Sequence, residues 1–324
     1  MPLINSPYRA PHLFRNGYFS TVYSGLVRQV SGVQQERERL VLPDGDFIDI
    51  DWMKASKPSN TLVVLLHGLE GDTKRPYMLG SAKIFNQNDI DTVGVNFRGC
   101  SGEFNKAFRS YHSGETEDLH QILLHILANH SYDNIVLRGI SLGGNVLLKY
   151  LGEDRDRPKE VKMGIAVSAP CDLYGSMLEL HQWYNRPYEI YFKRCLKERL
   201  QHKRTLFPDR IQKVDIQRIH RLRDFDDVYT APAHGFESGM HYYKASSSLP
   251  YIENIRVPAL LLNAQNDSFL SASCTPLALA ERSKSFFVEH PKHGGHVGFH
   301  LSEPFYYDEK CSLTFVKEHL KTNL

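Results

Sequence analysis

The sequence predicts an α/β fold with a mostly parallel central sheet, flanking helices and a mainly helical insertion. The first observation is a set of short runs that are apolar on both faces, as in strands buried inside a parallel sheet. They lie at residues 61–68, 91–99, 134–141, 162–170, 258–267 and 283–291. The second observation is the helical spacing of apolar residues between these runs, at 115–130 and 142–153. Strands that alternate with helices indicate parallel pairing through right-handed crossovers.

A β-hairpin is predicted at residues 37–53, ahead of the parallel strands. Both arms alternate apolar and polar residues, and an Asp-Gly pair at 44–45 supplies the turn. Asp46, Asp49 and Asp51 suggest a metal cluster, but alternate residues of a strand share one face. We therefore expect these carboxylates on the solvent-facing side of the hairpin.

The strand pattern is interrupted between residues 171 and 248. Within this stretch, residues 186–204 place apolar side chains on one face of an amphipathic helix. We therefore predict one structural domain plus a helical cap. The core comprises residues 1–170 and 249–324, and the cap comprises residues 171–248.

Composition argues against several classes of protein. A formal charge of +2 over 324 residues does not favour a nucleic-acid-binding protein. No apolar run reaches the length of about 18 residues that a membrane span needs. The five cysteines are far apart and form no CxxC pair, which favours reduced thiols and a cytoplasmic location. Because no His, Asp or Cys group has the spacing of metal ligands, we expect neither a metal nor a cofactor.

A candidate nucleophile lies between the third apolar run and the helix-like segment that follows it. The residues Gly139-Ile140-Ser141-Leu142-Gly143 form a G-x-S-x-G motif. A sharp strand-to-helix turn exposes the serine Oγ, and small residues on either side leave room for that turn. The N-terminus of the following helix favours developing negative charge. We therefore predict Ser141 as the nucleophile; the alternative is an ordinary glycine-rich turn with a surface serine.

Two backbone N–H groups are candidates for an oxyanion hole, which stabilises the charge that develops on the substrate oxygen. One belongs to Leu142, directly after Ser141. The other is expected in the loop His67–Gly71 after the first apolar run, and we predict the N–H of Leu69. His67 is expected to hydrogen-bond this loop and not to act in catalysis.

The acid and the base should follow the serine in chain order, each after a later strand. Asp267 ends the fifth apolar run and is the predicted acid. Asp172 is the runner-up because it also follows a strand. The remaining acids of the cap are expected to be surface or cap-anchoring charges. They are Asp209, Asp215, Asp224, Asp226 and Asp227.

His296 is the predicted base, and His293 is its main competitor. Glycines at 294–295 and 298 indicate a mobile, exposed loop from which His296 reaches the serine. Asp267 would hold the tautomer of His296 and stabilise the imidazolium that forms when the serine loses its proton.

Taken together, these motifs resemble those of the YheT-like α/β-hydrolases. The matching stretches cover nearly the whole chain, beginning with PHLFRNGYFST at 11–21. The others are His67–Gly71, Asn96–Glu103, Tyr111–Gly114, Gly139–Asn145, Phe225–Asp227, Thr230–Pro232, His234–Phe236 and His293–Phe299. The resemblance implies an α/β-hydrolase fold and a triad of Ser141, Asp267 and His296. The family often has A-x-D-D-P where this chain has A-Q-N-D-S at 264–268, so only the second acid is kept.

Two further features leave alternatives open. Residues 186–223 hold twelve basic and four acidic residues, a local charge of +8. This surface either contacts anionic lipid surfaces or is the solvated face of the cap helices. The loop Arg98–Glu103 is expected to be a tight turn tied by an ion pair, in preference to a part of the substrate pocket.

The predicted function is a serine hydrolase that cleaves small-molecule carboxylic esters, of short to medium acyl chain, through an acyl-enzyme. Members of the family that this sequence resembles are described as carboxylesterases, acyltransferases or phospholipases. An acyltransferase, or a lipase or phospholipase, with the same three residues is therefore the alternative within catalysis. A catalytically silent binding module is the alternative from another class.

Overall fold

The computed structural model describes residues 2–321, and nine strands within this range form one sheet. The strands are β1 (Leu3–Ile4), β2 (Glu36–Val41), β3 (Phe47–Met53), β4 (Thr61–Leu66), β5 (Asp91–Asn96), β6 (Asn134–Ile140), β7 (Val161–Val167), β8 (Ala259–Leu262) and β9 (Phe286–Glu289). Their order across the sheet is β1-β9-β8-β7-β6-β4-β5-β3-β2. The pairs β5–β3 and β3–β2 are antiparallel, and all other pairs are parallel. The predicted mostly parallel sheet is confirmed.

Helices connect the strands and fill the interval between β7 and β8. The α-helices are α1 (Gly17–Leu26), α2 (Pro76–Asn86), α3 (Thr116–Asn129), α4 (Leu142–Gly152), α5 (Leu173–Leu180), α6 (Arg186–Leu206), α7 (Lys213–Arg218), α8 (Leu222–Phe225), α9 (Ala231–Ala233), α10 (Gly239–Ser246), α11 (Leu277–Arg282) and α12 (Tyr307–Lys321). Shorter 3₁₀- or π-helical turns are His12–Arg15, Trp183–Asn185, Asp226–Thr230, Leu249–Asn254 and Ala272–Cys274. None of the helices in residues 2–321 combines the length and apolar character needed to cross a bilayer.

Both faces of the sheet are covered by helices. Along β4, Leu62, Val64 and Leu66 pack into one hydrophobic cluster, while Val63 and Leu65 pack into another. Helices α3 and α4 contribute to the first cluster, and α2 and α12 contribute to the second. Because alternate residues of a strand point to opposite faces, this division explains why the predicted strands are apolar throughout.

The helical cap has a hydrophobic cluster of its own. Side chains from α6, α7 and α8 pack there, with Leu200 and Ile219 almost fully buried. The amphipathic helix predicted at 186–204 corresponds to α6. The boundaries of the cap at residues 171 and 248 stay a prediction.

Two basic residues of α6 face inward. Arg199 and Lys203 lie one helical turn apart, and both are buried against the core. The ammonium group of Lys203 donates to the side-chain and backbone oxygens of Asn105. Burial lowers the pKa of Lys203 to about 8. These two charges therefore anchor the cap, and contact of its exposed basic residues with a lipid surface stays a prediction.

The expectation for the hairpin carboxylates is wrong. Asp46, Asp49 and Asp51 are each no more than 2% exposed. Arg37 of β2 pairs with Asp51, and Arg39 of β2 pairs with Asp49. The reason is that both faces of β3 are covered, since all seven of its residues are buried. Asp46, just before β3, is enclosed by Arg98 and Asn105. Hydrogen bonds to the arginines lower the pKa values of Asp49 and Asp51 against the opposing effect of burial.

The loop Arg98–Glu103 is held by separate ion pairs and not by one internal pair. Arg98 is 1% exposed and contacts the carboxylates of Asp118, Asp44 and Asp46. Glu103 pairs instead with Arg39 of the hairpin. The loop therefore joins the hairpin to α3, in agreement with the structural role that we expected.

A buried arginine ties the strand that precedes the candidate nucleophile to two helices. Arg138 of β6 is fully buried and lies 2.6 Å from the carboxylate of Asp308 in α12. It also donates to the hydroxyls of Ser81 in α2 and Ser312 in α12. Removing one partner of such a pair leaves an uncompensated charge in the core.

We predict that Arg138→Met lowers the free energy of unfolding by about 3–5 kcal/mol, because the Asp308 carboxylate loses its cation. Arg194→Met is the matched control, since Arg194 and Glu198 form a pair in which the side chains are 78% and 63% exposed. The control should lose less than about 1 kcal/mol. Urea unfolding of the three proteins measures both changes, and equal losses would contradict the proposed contribution of Arg138.

Candidate active site

Ser141 occupies a strained turn between β6 and α4. Its φ is 53° and its ψ is −119°, a left-handed conformation that is costly for a residue other than glycine. A Cβ on Gly139 would overlap the backbone of Gly143, and a Cβ on Gly143 would lie 2.5 Å from the carbonyl oxygen of Leu66. The two glycines of the motif are therefore required by close backbone approach.

The three residues predicted as a triad form a hydrogen-bonded line. The Nε2 atom of His296 lies 2.9 Å from the Oγ of Ser141. The Nδ1 atom of the same ring lies 2.8 Å from Oδ2 of Asp267. The other carboxylate oxygen of Asp267 accepts the N–H of Phe269. Asp267 and His296 are 5% and 8% exposed, so both hydrogen bonds are largely shielded from solvent.

The competing acid and base lie elsewhere. Asp172 is the N-cap of α5, where it accepts the N–H of Gly175, and it also accepts the hydroxyl of Ser273. Among the residues that the structure describes, His293 makes no hydrogen bond to Ser141. These placements favour Asp267 and His296 over both alternatives.

The acidic residues of the cap have local structural contacts. Asp215 accepts the backbone N–H of Gln212, and Asp224 accepts that of Arg221. Asp226 is enclosed, accepts the hydroxyls of Tyr243 and Thr230, and has a pKa raised to about 6 by burial.

The loop that carries His296 is fixed, whereas we expected a mobile and exposed loop. Its backbone is held by three hydrogen bonds from outside the loop. Thr21 of α1 accepts the N–H of His296, Asn266 accepts the N–H of Gly295, and Ser168 accepts the N–H of Val297. Gly295 has a φ of 55°, and a Cβ there would overlap the carbonyl oxygen of Gly17 in α1. The glycines therefore permit close packing against α1 and do not provide freedom of movement.

Two contacts at or beside the predicted triad were missed from the sequence. The ring of Phe269 stacks on His296 with centroids 4.3 Å apart. Asn185, which is fully buried, donates to the carbonyl oxygen of Ser268, next to the predicted acid. For the contacts between α1 and the His296 loop, the sequence signal was the resemblance at residues 11–21. No pattern in the sequence pointed to Asn185.

The predicted oxyanion loop lies directly beside the serine. A Cβ on Gly68 would lie 3.2 Å from the Cβ of Ser141. Within residues 2–321, the backbone N–H groups of Leu69 and Leu142 donate to no protein acceptor. Both residues line a cavity together with Ser141. Both N–H groups are therefore available to a bound substrate oxygen.

A buried ion pair from the cap holds this loop. Glu70, at a φ of 53°, pairs with Arg199 at 3.1 Å, and the two side chains are only 9% and 8% exposed. The hydroxyl of Tyr111 accepts the N–H of Glu70 and donates to its carboxylate. Arg199 also donates to the carbonyl oxygen of Gly99. The conformation of the oxyanion loop therefore depends on the cap, which the sequence analysis did not foresee.

His67 is enclosed at the base of the same loop. Its Nδ1 atom lies 2.7 Å from the carbonyl oxygen of Gly68, and its Nε2 atom accepts the N–H of Phe97. Burial lowers the pKa of His67 to about 4. The ring is therefore neutral at pH 7, and both nitrogens are committed to the backbone.

Two cavities of about 140 Å³ each meet at Ser141. The first, which we call the apolar cavity, lies beneath the cap and includes Leu69 and Leu142. Its other apolar lining residues include Leu173, Met177, Leu180, Leu196, Leu222 and Phe225. The second, which we call the histidine-side cavity, is lined by His296 as well as Ser141 and contains Arg75 at its wall.

In the part of the chain that the structure describes, one group of side chains offers ligand atoms of the kind that bind metals. His112, Glu115 and His234 place one such atom each within 4.8 Å of the others. Spacing in the sequence did not reveal this group because His234 comes from the cap. Glu115 also pairs with Arg109, whose charge disfavours a cation. Burial lowers the pKa values of both histidines to about 3, so both rings are neutral at pH 7.

Known proteins share both the sequence pattern and the fold. Residues 61–303 match the family described as alpha/beta hydrolase fold. The chain is 34% identical over 293 residues to YheT of Escherichia coli (strain K12), whose name classes it among the esterases. That match covers 88% of this chain and 85% of YheT. The human phospholipase ABHD3 is 24% identical over 312 residues, covering 92% of this chain and 75% of ABHD3.

Among solved structures, the chain is similar to the Pyrococcus furiosus esterase Pf2001. The TM-score is 0.61 at 16% identity, and the match covers 91% of this chain and 96% of that one. At this level of identity the similarity concerns the fold.

Proposed function

We propose that this chain, which belongs to the YheT-like family of α/β-hydrolases, is a serine hydrolase that cleaves carboxylic esters. The observation that carries the proposal is the unbroken hydrogen-bonded line from Ser141 through His296 to Asp267. It is supported by relatives that are named as an esterase and a phospholipase. The five free cysteines agree with a cytoplasmic location, which we also propose.

The proposed reaction begins with attack of the Ser141 Oγ on the ester carbonyl carbon. His296 takes the hydroxyl proton at Nε2, and Asp267 stabilises the imidazolium through Nδ1. The carbonyl oxygen becomes an oxyanion, which the N–H groups of Leu69 and Leu142 stabilise. When the bond to the alcohol breaks, His296 returns the proton to the departing alcohol oxygen. Water then repeats the sequence on the acyl-enzyme and releases the acid.

The apolar cavity is the proposed site of the acyl chain. It adjoins both oxyanion N–H groups, and aliphatic and aromatic side chains dominate its wall. Short- to medium-chain acyl esters are the proposed substrates. If an alcohol replaces water in the second half of the reaction, the same acyl-enzyme yields a new ester, so acyl transfer is the second candidate.

We predict that Ser141→Ala lowers the turnover of p-nitrophenyl butyrate by about 10⁵- to 10⁶-fold, because the nucleophile is lost. A fluorophosphonate probe should label the wild-type protein and not the variant. The exposed Ser31→Ala serves as the control and should retain turnover and labelling. Absence of labelling in a folded wild-type protein would favour a binding module, and a new ester formed on adding an alcohol would favour acyl transfer.

Exchanging carboxylates for amides should separate the two candidate acids. We predict that Asp267→Asn lowers kcat by about 10³- to 10⁴-fold, because an amide does not stabilise the imidazolium or hold the correct tautomer. Asp172→Asn should stay within about threefold of wild type, since Asp172 caps a helix and its amide can still accept a hydrogen bond. Steady-state kinetics measure both effects. The reverse ranking would move the role of the acid to Asp172.

A further inference from the structure

The two cavities at Ser141 differ in their access to the proposed base. Both are lined by Ser141, but only the histidine-side cavity is also lined by His296. In the proposed reaction the alcohol oxygen receives its proton from His296 as the bond from that oxygen to the acyl carbon breaks. The alcohol half of the ester must therefore lie on the histidine side, and the acyl half must lie in the apolar cavity.

Arg75 is the charged side chain at the wall of the histidine-side cavity. Of the lining residues that the structure describes, it alone carries a formal charge at pH 7, apart from any charge on His296. It is half-buried and donates from Nη2 to the carbonyl oxygen of Glu70 at 2.9 Å. Tyr191 of α6, which also lines this cavity, interacts with the guanidinium. Most of the five N–H donors of a guanidinium remain available after these contacts.

No carboxylate in residues 2–321 lies within 4 Å of the Arg75 guanidinium. By contrast, Arg98, Arg138 and Arg199 are each paired with an acid. The nearest acidic positions in the chain have other contacts. Glu70 is paired with Arg199, and Asp72 accepts the backbone N–H of Lys74. The cation at this wall therefore has no ion-pair partner among the described residues, and Asp72 acts on it only at longer range.

We propose that Arg75 binds an anionic group on the alcohol half of the ester. The preferred substrates are then esters whose alcohol carries a phosphate or a carboxylate, the two groups that match the planar fork of a guanidinium. This inference rests on the proposed function, because it uses Ser141 and His296 to orient the ester. Arg75 therefore determines which alcohol group is preferred, while the acyl chain lies in the other cavity.

The test uses three hexanoyl esters that differ only in the alcohol: glycerol, glycerol 3-phosphate and glycerate. Wild-type kcat/KM should be higher for the two anionic esters than for the neutral one. Arg75→Gln should lower the ratio of anionic to neutral kcat/KM by about 10- to 100-fold, mainly through KM, because charge-assisted hydrogen bonds are lost. Arg75→Lys should restore part of the ratio, since it keeps the charge without the fork. Lys74→Gln, a change at the exposed neighbouring residue, should leave the ratio unchanged.

The outcomes separate the inference from the proposed function. Equal losses for all three esters in Arg75→Gln would mean that Arg75 only supports the carbonyl oxygen of Glu70, and would overturn the inference. A wild-type protein without preference for the anionic esters would also overturn it, while hydrolysis of the neutral ester would leave the proposed function standing. Hydrolysis of none of the esters by a folded wild-type protein would overturn both. A preference for the phosphate over the carboxylate, or the reverse, would support the inference and identify the anion.

Discussion

The hydrogen bond between His296 and Ser141 is the contact on which the rest of the site depends. It joins residues 155 positions apart, so it forms only if two loops at one edge of the sheet are both held in place. At the serine, tight packing of Gly139 against Gly143 fixes the turn. At the histidine, Thr21, Asn266 and Ser168 hold the loop backbone. The site is thus preorganised by packing, which avoids the entropy cost of ordering a loop during reaction.

The cap does more than cover the apolar cavity. Arg199 and Lys203 extend from one face of α6 and bind the two loops that follow β4 and β5. Because Glu70 belongs to the oxyanion loop, displacement of α6 would disturb the N–H group that lies next to it in the chain. The cavity beneath the cap and the loop that carries Leu69 are therefore linked through α6. The positive charge of residues 186–223 is divided between an inner pair that binds the core and a remainder that is exposed or half-buried.

Local pattern and chain order predicted much of the fold and the grouping of Ser141, Asp267 and His296, because those features are encoded over short stretches. A strand, a glycine-flanked serine and a helix are adjacent in the sequence, and Asp267 and His296 follow later strands in the expected order. The failures involve pairings distant in sequence. Burial of Asp49 and Asp51 depends on which strands flank β3, and the contact between Thr21 and His296 spans 275 positions. The Glu70–Arg199 pair spans 129 positions and joins core to cap. The periodicity of apolar and polar residues along one sequence does not indicate which distant residues will pair.

The most direct measurement of the central claim is a crystal structure of the protein after reaction with an alkyl phosphonate inhibitor. The account predicts a bond from phosphorus to the Oγ of Ser141, with the phosphoryl oxygen about 2.7–3.1 Å from the N–H groups of Leu69 and Leu142. The alkyl chain should occupy the apolar cavity, and His296 should remain hydrogen-bonded to Asp267. Phosphorus attached to a different side chain, or a phosphoryl oxygen turned away from both N–H groups, would contradict the account.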